Sequence, residues 1–226
     1  MTTPNVPRLH LPDESCAPFL AALLAGDRLQ CRSIFETWLA ADLDLRVLYE
    51  ERVQPALYAV GELWEQGRVS VATEHLATAI TEGLLSLVGP SLFERPRIGK
   101  SVVVACTANE YHQIGGKMVA DLFESRGWRG YSLGANTPVR DLLDLIDAKQ
   151  PDAAVLSAAV QFNLESLLQA AVAVRDGFPD LPILVGGQAF RWGGLERIEH
   201  VPGLRYLASL QELEAWMQAQ ATHDAH

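Results

Sequence analysis

The sequence predicts an α/β protein in which a helical bundle precedes a doubly wound sheet of parallel strands. Three observations indicate this organisation. Apolar residues recur at helical spacing through about the first 90 residues, and short β-rich runs then alternate with amphipathic stretches. Hydrophobic residues make up 49% of the 226-residue chain, which is enough to build buried cores. We expect the helical-bundle domain in 1–92, a linker in 93–100 and the sheet domain in 101–226.

Four helices joined by short loops are predicted for the first domain, which suggests a compact four-helix bundle. The third contains Pro55, which lacks an N–H and disfavours a helix interior by about 3 kcal/mol. A kink or a fresh helix start is therefore expected at Pro55. The helices are APFLAALLAG, LQCRSIFETWLAA, LRVLYEERVQPALYAVGELWEQG and VATEHLATAITEGLLSLVG.

Five strands are predicted for the second domain, and their alternation with helices indicates a Rossmann-like, flavodoxin-like parallel sheet. Thr137, followed by Pro138, has the pattern of a helix N-cap. Asn163 is the expected cap of the helix after the third strand, and Ser209 with Glu212 forms a capping box before the last helix. The strands are SVVVACT, YSLG, DAAVLSAAV, LPILVGG and LRYLA.

Polar and small residues gather where these strands end, at the edge that binds ligands in doubly wound folds. His112 follows the first strand, Ser157 ends the third, and Gly186 and Gly187 follow the fourth. Paired glycines let a backbone approach a bulky ligand closely. Glu110 can reach one imidazole nitrogen of His112, which is the arrangement typical of metal-binding histidines. A surface histidine and a simple glycine turn remain the alternatives for each residue taken singly.

A second group of residues is predicted at one end of the helical bundle. Trp64 lies near the end of the third helix, while Glu74 and His75 begin the fourth, so an antiparallel hairpin brings them together. An aromatic ring, a carboxylate and an imidazole there could cover a ligand. The alternatives are a core tryptophan, a glutamate favoured by the helix dipole and a surface histidine.

Composition limits the classes of function. The formal net charge is −10, which disfavours direct binding to nucleic acid. Cys16, Cys31 and Cys106 are odd in number and widely spaced, so neither a disulfide framework nor a CxxC metal pair is expected. The N-terminus lacks the apolar core of a signal peptide, and no apolar run reaches membrane-spanning length. These features predict a cytoplasmic protein without a membrane partner.

The segments EYHQIGG, LSAAV and VGG resemble the cobalamin-binding signature D/E-x-H-x-x-G, S-x-L and GG, in order and at matching strand ends. The resemblance covers residues 100 to about 215. It implies that His112 replaces the dimethylbenzimidazole of cobalamin as the lower cobalt ligand, the base-off/His-on arrangement. Glu110 would then be its hydrogen-bond partner, and Gly115 is the glycine of the first motif.

The same resemblance assigns the remaining pieces of the signature to the nucleotide tail of the cofactor. Ser157 would contact this tail, while Gly186 and Gly187 would line its slot. This chain departs from the family pattern in carrying Glu rather than the commoner Asp at 110 and Ala159 in place of leucine.

In the helical half, WEQGRVSVATEH resembles the W-x9-E-H motif of the CarH-type light-sensing cobalamin repressors. The resemblance implies that Trp64, Val71, Glu74 and His75 pack against the 5′-deoxyadenosyl group of adenosylcobalamin. Those repressors carry a cobalt-capturing histidine directly after the tryptophan, where this chain has Glu65. The ligand after photolysis is therefore expected to be water, a carboxylate or another histidine such as His75.

We expect a sensor rather than an enzyme: a stand-alone adenosylcobalamin photoreceptor in which light breaks the cobalt–carbon bond and changes conformation, assembly or partner binding. Only about 15 residues precede the first predicted helix, so no DNA-binding domain is expected. The output would pass through a homo-oligomer or a separate regulator. The alternatives are a corrinoid methyl carrier of a methyltransferase system, a light-independent cobalamin-sensing antirepressor, and a protein that also binds a second chromophore such as a bilin.

Overall fold

The helical periodicity of the first half produces a helical unit that ends at Gly89 in the computed structural model, which describes residues 16–223. Within residues 16–89 the helices form four rods, because α3, a π-helical turn and α4 follow one another without interruption. A 3-10 helix, Ser86–Phe93, leads out of the unit. The segments are α1 Ala17–Ala25, α2 Arg28–Ala40, α3 Leu45–Val47, the π-helical turn Leu48–Val53, α4 Gln54–Glu65 and α5 Val71–Leu85.

The third rod accommodates Pro55 by a change of helix type. A π-helical turn spans Leu48–Val53, and α4 begins at Gln54, which places Pro55 in the first turn of an α-helix, where its missing N–H is not needed. Proline also deprives the carbonyl of Glu51, four residues earlier, of its usual donor. The thiol of Cys16 supplies one instead, at 3.1 Å from that oxygen. The helix type therefore changes next to Pro55, while the rod continues without the fresh start that was one of the two predicted outcomes.

Aromatic side chains form the centre of the helical unit. Phe19, Phe35 and Tyr49 are fully buried. The rings of Phe19 and Trp38 meet edge to face with centroids 5.1 Å apart, a geometry that the ring quadrupoles favour. Ser70 caps the start of α5, because its hydroxyl accepts a hydrogen bond from the N–H of Thr73 at 3.1 Å.

The second unit begins at Pro90 and contains a five-stranded parallel sheet in the order β2-β1-β3-β4-β5. This is the predicted flavodoxin-like order, in which the chain reverses direction across the sheet between β1 and β3. β1, β3 and β4 are almost completely buried, as expected for central strands with helices on both faces. The strands are β1 Ser101–Cys106, β2 Arg129–Ser132, β3 Ala153–Ser157, β4 Ile183–Gly186 and β5 Leu204–Tyr206.

Helices connect the strands and cover the sheet. Short 3-10 helices, Gln161–Asn163 and Gln188–Trp192, follow β3 and β4. Within residues 16–223, no helix combines the length and apolar character that crossing a membrane requires. The α-helices are α6 Ile114–Ser125, α7 Val139–Lys149, α8 Leu164–Gly177, α9 Leu195–Ile198 and α10 Leu210–His223.

Two local predictions differ from the structure. The predicted second strand is present, but it begins two residues earlier than YSLG, at Arg129–Ser132, and shares Tyr131 and Ser132 with that segment. Pairing with β1 sets its position, and an edge strand carries a weak apolar pattern. Thr137 is not the cap of α7, since Pro138 occupies that position. Thr137 instead continues the sheet by an isolated bridge to Thr107, and its N–H donates to the carbonyl of Cys106 at 2.9 Å.

The segment predicted as a linker is bound to the sheet unit over part of its length. Arg97 donates to the carbonyl of Trp128, and the N–H of Ile98 donates to the carbonyl of Gly127 at 3.0 Å. A side chain at Gly127 would collide with the carbonyl of Pro96, 2.6 Å from the position of its Cβ. The chain is therefore fixed against the sheet unit several residues before β1 begins.

Candidate functional site

The register of the sheet brings three chain segments together at its carboxyl edge. Ser157, the last residue of β3, pairs with Cys106 of β1 on one side and with Gly186 of β4 on the other. His112 follows β1 in the loop that leads to α6. This loop and the one after β3 flank the point where the chain reverses across the sheet, the position at which doubly wound folds bind ligands.

Backbone hydrogen bonds hold the loop between β1 and α6 in one conformation. The N–H of Glu110 donates to the carbonyl of Thr107 at 2.9 Å, and its own carbonyl accepts from the N–H of Asn136 at 2.7 Å. The side-chain oxygen of Asn136 accepts from the N–H of Asn109 at 2.8 Å. Asn109 and Asn136 both have left-handed backbone conformations, which asparagine tolerates better than most residues.

Glu110 is the centre of the site. Its side chain is fully buried, and its Oε1 accepts from the N–H of His112 at 2.9 Å and contacts His112 Nδ1 at 2.6 Å. The second oxygen, Oε2, accepts from the N–H groups of Ala159 and Val160 at 2.8 and 3.2 Å, and from Asn163 Nδ2 at 3.0 Å. One carboxylate thus joins the loop after β1 to the loop after β3.

This network determines the ionisation of the carboxylate. Burial alone would raise the pKa of Glu110, but hydrogen bonds from His112, Asn163 and Ala159 outweigh it and lower the pKa to about 2. Glu110 is therefore ionised at neutral pH. An anionic acceptor fixes a proton on Nδ1 of His112, which leaves Nε2 as the ring nitrogen with the lone pair that a metal requires.

Asn163 belongs to the site, although the sequence placed it only as a helix cap. It occupies the N-cap position of α8, yet its side chain makes no capping hydrogen bond. Its Nδ2 group donates to Glu110 Oε2 and, at 3.3 Å, to the carbonyl of Asn109. Sequence alone offers a weak signal for this role, because 53 residues separate Asn163 from Glu110.

The glycines of the predicted site differ in what a side chain at each position would meet. A Cβ at Gly187, whose φ is 114°, would lie 2.1 Å from the carbonyl oxygen of Ala158, so packing within the protein already requires glycine. A Cβ at Gly186 would lie 3.1 Å from the carbonyl oxygen of Leu207. At Gly115 a Cβ would stand 3.9 Å from Ser157 Oγ, an ordinary contact distance. The space beside Ser157 is therefore open at Gly115, where a side chain would fill it.

In the helical unit, the four predicted residues lie at the junction of α4 and α5. Trp64 is 46% exposed, and Val71 is exposed to a similar degree, which excludes a core position within this unit. His75 Nδ1 contacts Glu74 Oε2 at 2.6 Å, and Glu74 Oε1 accepts from the hydroxyl of Thr78 at 3.0 Å. This end of the unit therefore presents apolar side chains next to a hydrogen-bonded carboxylate–imidazole pair.

The sheet unit has the features of a domain that holds a metal-containing cofactor through one imidazole. A buried carboxylate fixes Nδ1 of an exposed histidine, and a glycine opens space beside a serine one strand away. Among the described residues, no three His, Cys, Asp or Glu side chains converge as a metal cage.

Comparison with protein families also indicates a domain that holds a metal-containing cofactor. Models described as B12 binding domains match residues 16–88 and 100–206, which together cover most of the chain. The chain therefore belongs to the B12-binding domain proteins, and cobalamin is the cofactor that these domains indicate. The resemblance inferred from the motifs is confirmed at this level.

Two curated relatives differ in their named functions, one being a transcriptional repressor and the other a corrinoid protein. The HTH-type transcriptional repressor CarH of Myxococcus xanthus is 33% identical over 174 residues, which are 76% of this chain and 57% of the relative. The chain thus spans little more than half the length of that repressor. Trimethylamine corrinoid protein 1 of Methanosarcina acetivorans is 23% identical over 160 residues, covering 70% of this chain and 74% of the relative.

A solved structure shows the same fold. The monomethylamine corrinoid protein of Methanosarcina barkeri superposes with a TM-score of 0.75 at 12% identity, covering 88% of this chain and 94% of that chain. This similarity confirms the α/β architecture with its helical N-terminal region.

Proposed function

We propose that this protein is an adenosylcobalamin-dependent light sensor that holds cobalamin base-off through His112. Support for the ligand comes from the geometry of Glu110, which is buried, ionised and 2.6 Å from Nδ1 of His112. Ser157, Gly115, Gly186 and Gly187 receive the nucleotide tail in this proposal. The chemistry supplied by the bound cofactor is a cobalt–carbon bond that light breaks.

The observation that carries the sensor role is the exposure of Trp64 and Val71. Leu63, the neighbour of Trp64, is buried, so α4 has a core face and Trp64 lies off it. An exposed tryptophan and valine beside a fixed glutamate suit a ligand group that is partly apolar and partly rich in hydroxyls. The 5′-deoxyadenosyl group has both characters, and the W-x9-E-H spacing supports this assignment of Trp64, Val71, Glu74 and His75.

In this proposal, light acts by removing the apolar partner of Trp64 and Val71. Both side chains then return to water, which makes their helical end less stable in its dark arrangement and favours another arrangement or a protein contact. The output is a change in self-association or in binding to a separate regulator. The acidic charge of the chain agrees with a protein partner rather than nucleic acid.

The decisive experiment is to load the purified protein with adenosylcobalamin in darkness and record its absorption spectrum and elution volume before and after green light. Both are expected to change in the wild type. Trp64→Ala should bind cobalamin equally well but lose most of its preference for the adenosyl over the methyl form. Phe93→Ala, which removes an exposed aromatic residue of the sheet unit, serves as the control. An equal preference for the adenosyl form in Trp64→Ala and wild type would exclude contact between Trp64 and the 5′-deoxyadenosyl group.

The spectrum of the illuminated protein also identifies the upper ligand. Water, the carboxylate of Glu65 and the imidazole of His75 are the candidates, and nitrogen and oxygen ligands give different absorption bands. Glu65→Gln and His75→Ala variants assign the band to one residue.

A corrinoid methyl carrier is the second candidate, because the similarity to trimethylamine corrinoid protein 1 extends over 70% of this chain. A carrier must present its cobalt to a partner enzyme and is expected to bind methyl- and adenosylcobalamin equally well. Binding without preference and without any response to light would favour this function.

A further inference from the structure

The carboxyl edge of the sheet carries three large aromatic side chains that face solvent. Tyr111 is 68% exposed, Phe162 is 79% exposed and Trp192 is 43% exposed. Aromatic side chains normally contribute their area to a core or an interface, so exposed aromatic side chains close to a site are candidates for ligand contact. Their position relative to His112 indicates what this surface binds.

Each aromatic residue is connected to the His112 network through its backbone. Tyr111 stands between Glu110 and His112, and Phe162 immediately precedes Asn163, which donates to Glu110. The carbonyl of Trp192 accepts from Gln161 Nε2 at 3.0 Å. The backbones of all three residues are thus tied to fixed parts of the site, while their side chains remain at the surface. A ligand held by His112 necessarily lies over this part of the edge.

The loops at this edge carry little charge. The segments that follow the five strands, 107–113, 133–138, 158–163, 187–194 and 207–209, contain only Glu110 and Arg191 among Asp, Glu, Lys and Arg residues. Glu110 is buried, and Arg191 lies over the ring of Trp192 at 5.6 Å. Neutral amides take the place of charges, with Asn109, Asn136 and Gln161 exposed.

The opposite edge of the sheet differs sharply in charge. The segments before the strands carry many charged residue types, so the low charge of the loops at the carboxyl edge is a local property rather than a general one. These residues include Glu94, Arg95, Arg97, Lys100, Arg126, Asp152 and Asp180.

We infer that Tyr111, Phe162 and the neutral amides around them select corrinoids whose peripheral side chains are amides over corrinoids with free peripheral carboxylates. This inference rests on the proposed cofactor site. Apolar rings and neutral amides match a macrocycle edged with methyl and amide groups. A carboxylate at the same place would lose water and would face the negative field of Glu110. The loops after the strands offer it no cation except Arg191, which lies over the ring of Trp192.

The test compares two corrinoids that both lack the nucleotide tail, so that only the periphery differs. Cobinamide carries amides and cobyrinic acid carries carboxylates. Wild-type protein is expected to bind cobinamide at least about tenfold more tightly, as measured by absorption titration. Tyr111→Ala and Phe162→Ala should each weaken cobinamide binding by about tenfold. Both residues are exposed, so the melting temperatures of these variants should equal that of the wild type.

A charge substitution with a matched control tests selectivity directly. Phe162→Lys should reduce the preference for cobinamide, because the ammonium group offers a peripheral carboxylate a partner. Phe93→Lys adds the same charge at an exposed phenylalanine that precedes β1 in the sequence. It should leave the ratio of the affinities for cobinamide and cobyrinic acid unchanged. An equal effect of the two substitutions would assign selectivity to net charge and overturn the inference.

Other outcomes overturn the inference for distinct reasons. Equal binding of both corrinoids by a wild type that still binds cobalamin would refute the selectivity and leave the cofactor site in place. Unchanged cobinamide binding by Phe162→Ala would show that this ring does not contact the corrinoid and would overturn the inference. Failure of the wild type to bind either corrinoid or cobalamin would remove the proposed function as well.

Discussion

The His112–Glu110 pair of the sheet unit and the His75–Glu74 pair of the helical unit have the same contact distance but different surroundings. In both, Nδ1 lies 2.6 Å from a carboxylate oxygen. Glu110 is fully buried and joins segments about 50 residues apart, whereas the Glu74 side chain is 19% exposed and its partners Thr78 and His75 belong to the same helix. Equal distances therefore conceal unequal roles: Glu110 connects distant parts of the fold, whereas Glu74 is held by residues of its own helix.

The largest effect is expected at Glu110, where the comparison predicts a loss of fold stability. Glu110→Gln keeps the shape but places an amide against several donors, and we expect the free energy of unfolding at pH 7 to fall by about 3 kcal/mol. The folded-state pKa is lowered to about 2 from 4.5. The stabilisation by the carboxylate is therefore complete above pH 4.5 and lost as the pH falls toward 2.

Urea denaturation of wild type and Glu110→Gln at pH 7, 4.5 and 3 measures this effect. The difference between the two proteins should narrow below pH 4.5. Parallel curves over the whole range would show that the carboxylate is not held in its ionised form by the fold.

Removing the imidazole of His112 should affect cofactor binding more than folding. We expect His112→Ala to weaken cobalamin binding by at least about 100-fold, and to lower the free energy of unfolding by only about 1–2 kcal/mol because Glu110 loses one of its donors. Equilibrium dialysis measures the affinity, with His200→Ala as a control at an exposed histidine of the same unit. An unchanged spectrum of bound cobalamin in His112→Ala would contradict the axial assignment.

Substitution of Asn163 should have an intermediate effect on both the stability of the fold and the affinity for cobalamin. Asn163→Ala removes one donor to Glu110 and leaves the backbone N–H groups of Ala159 and Val160 in place. We expect a loss of about 1–2 kcal/mol in stability and about tenfold in cobalamin affinity. If Asn163 were only a helix cap, Asn163→Ser would restore both quantities. A restored stability without restored affinity would identify the amide as the group that positions His112.

The smallest effect is expected at Glu74. Glu74→Gln should change the stability of the protein by less than about 0.5 kcal/mol, because a partly exposed pair within one helix contributes little. Its effect should appear in the affinity for adenosylcobalamin relative to methylcobalamin. A stability loss as large as that of Glu110→Gln would show that the two pairs are equivalent and end the comparison.

Local patterns in the sequence predicted most of the fold, and contacts between distant segments account for the differences. The spacing of Glu110 and His112 predicted their pairing, because two residues in one loop can meet without help from elsewhere. Asn163 was placed at the correct helix start, but its side chain turns to a carboxylate 53 residues away. The assigned roles of the helical residues Trp64 and His75 remain predictions.

Errors in the prediction of local structure have the same physical origin. Thr137 has the pattern of a cap, yet pairing with Thr107 draws it into the sheet. Likewise, nothing near Cys16 in the sequence indicates that its thiol completes the helix at Glu51, 35 residues away. A pattern read along the chain omits the neighbours that the fold supplies.

The attachment of Ala159 and Val160 to Glu110 also has a kinetic consequence. Amide protons in a surface loop ordinarily exchange with deuterium from solvent within a short time, but these two point at a buried carboxylate from another segment. Their exchange requires the loops after β1 and β3 to separate, and it therefore reports how often the apo site opens. Slow exchange before any cofactor is added would mean that ordering the loop is completed during folding, and that cobalamin meets a site already formed.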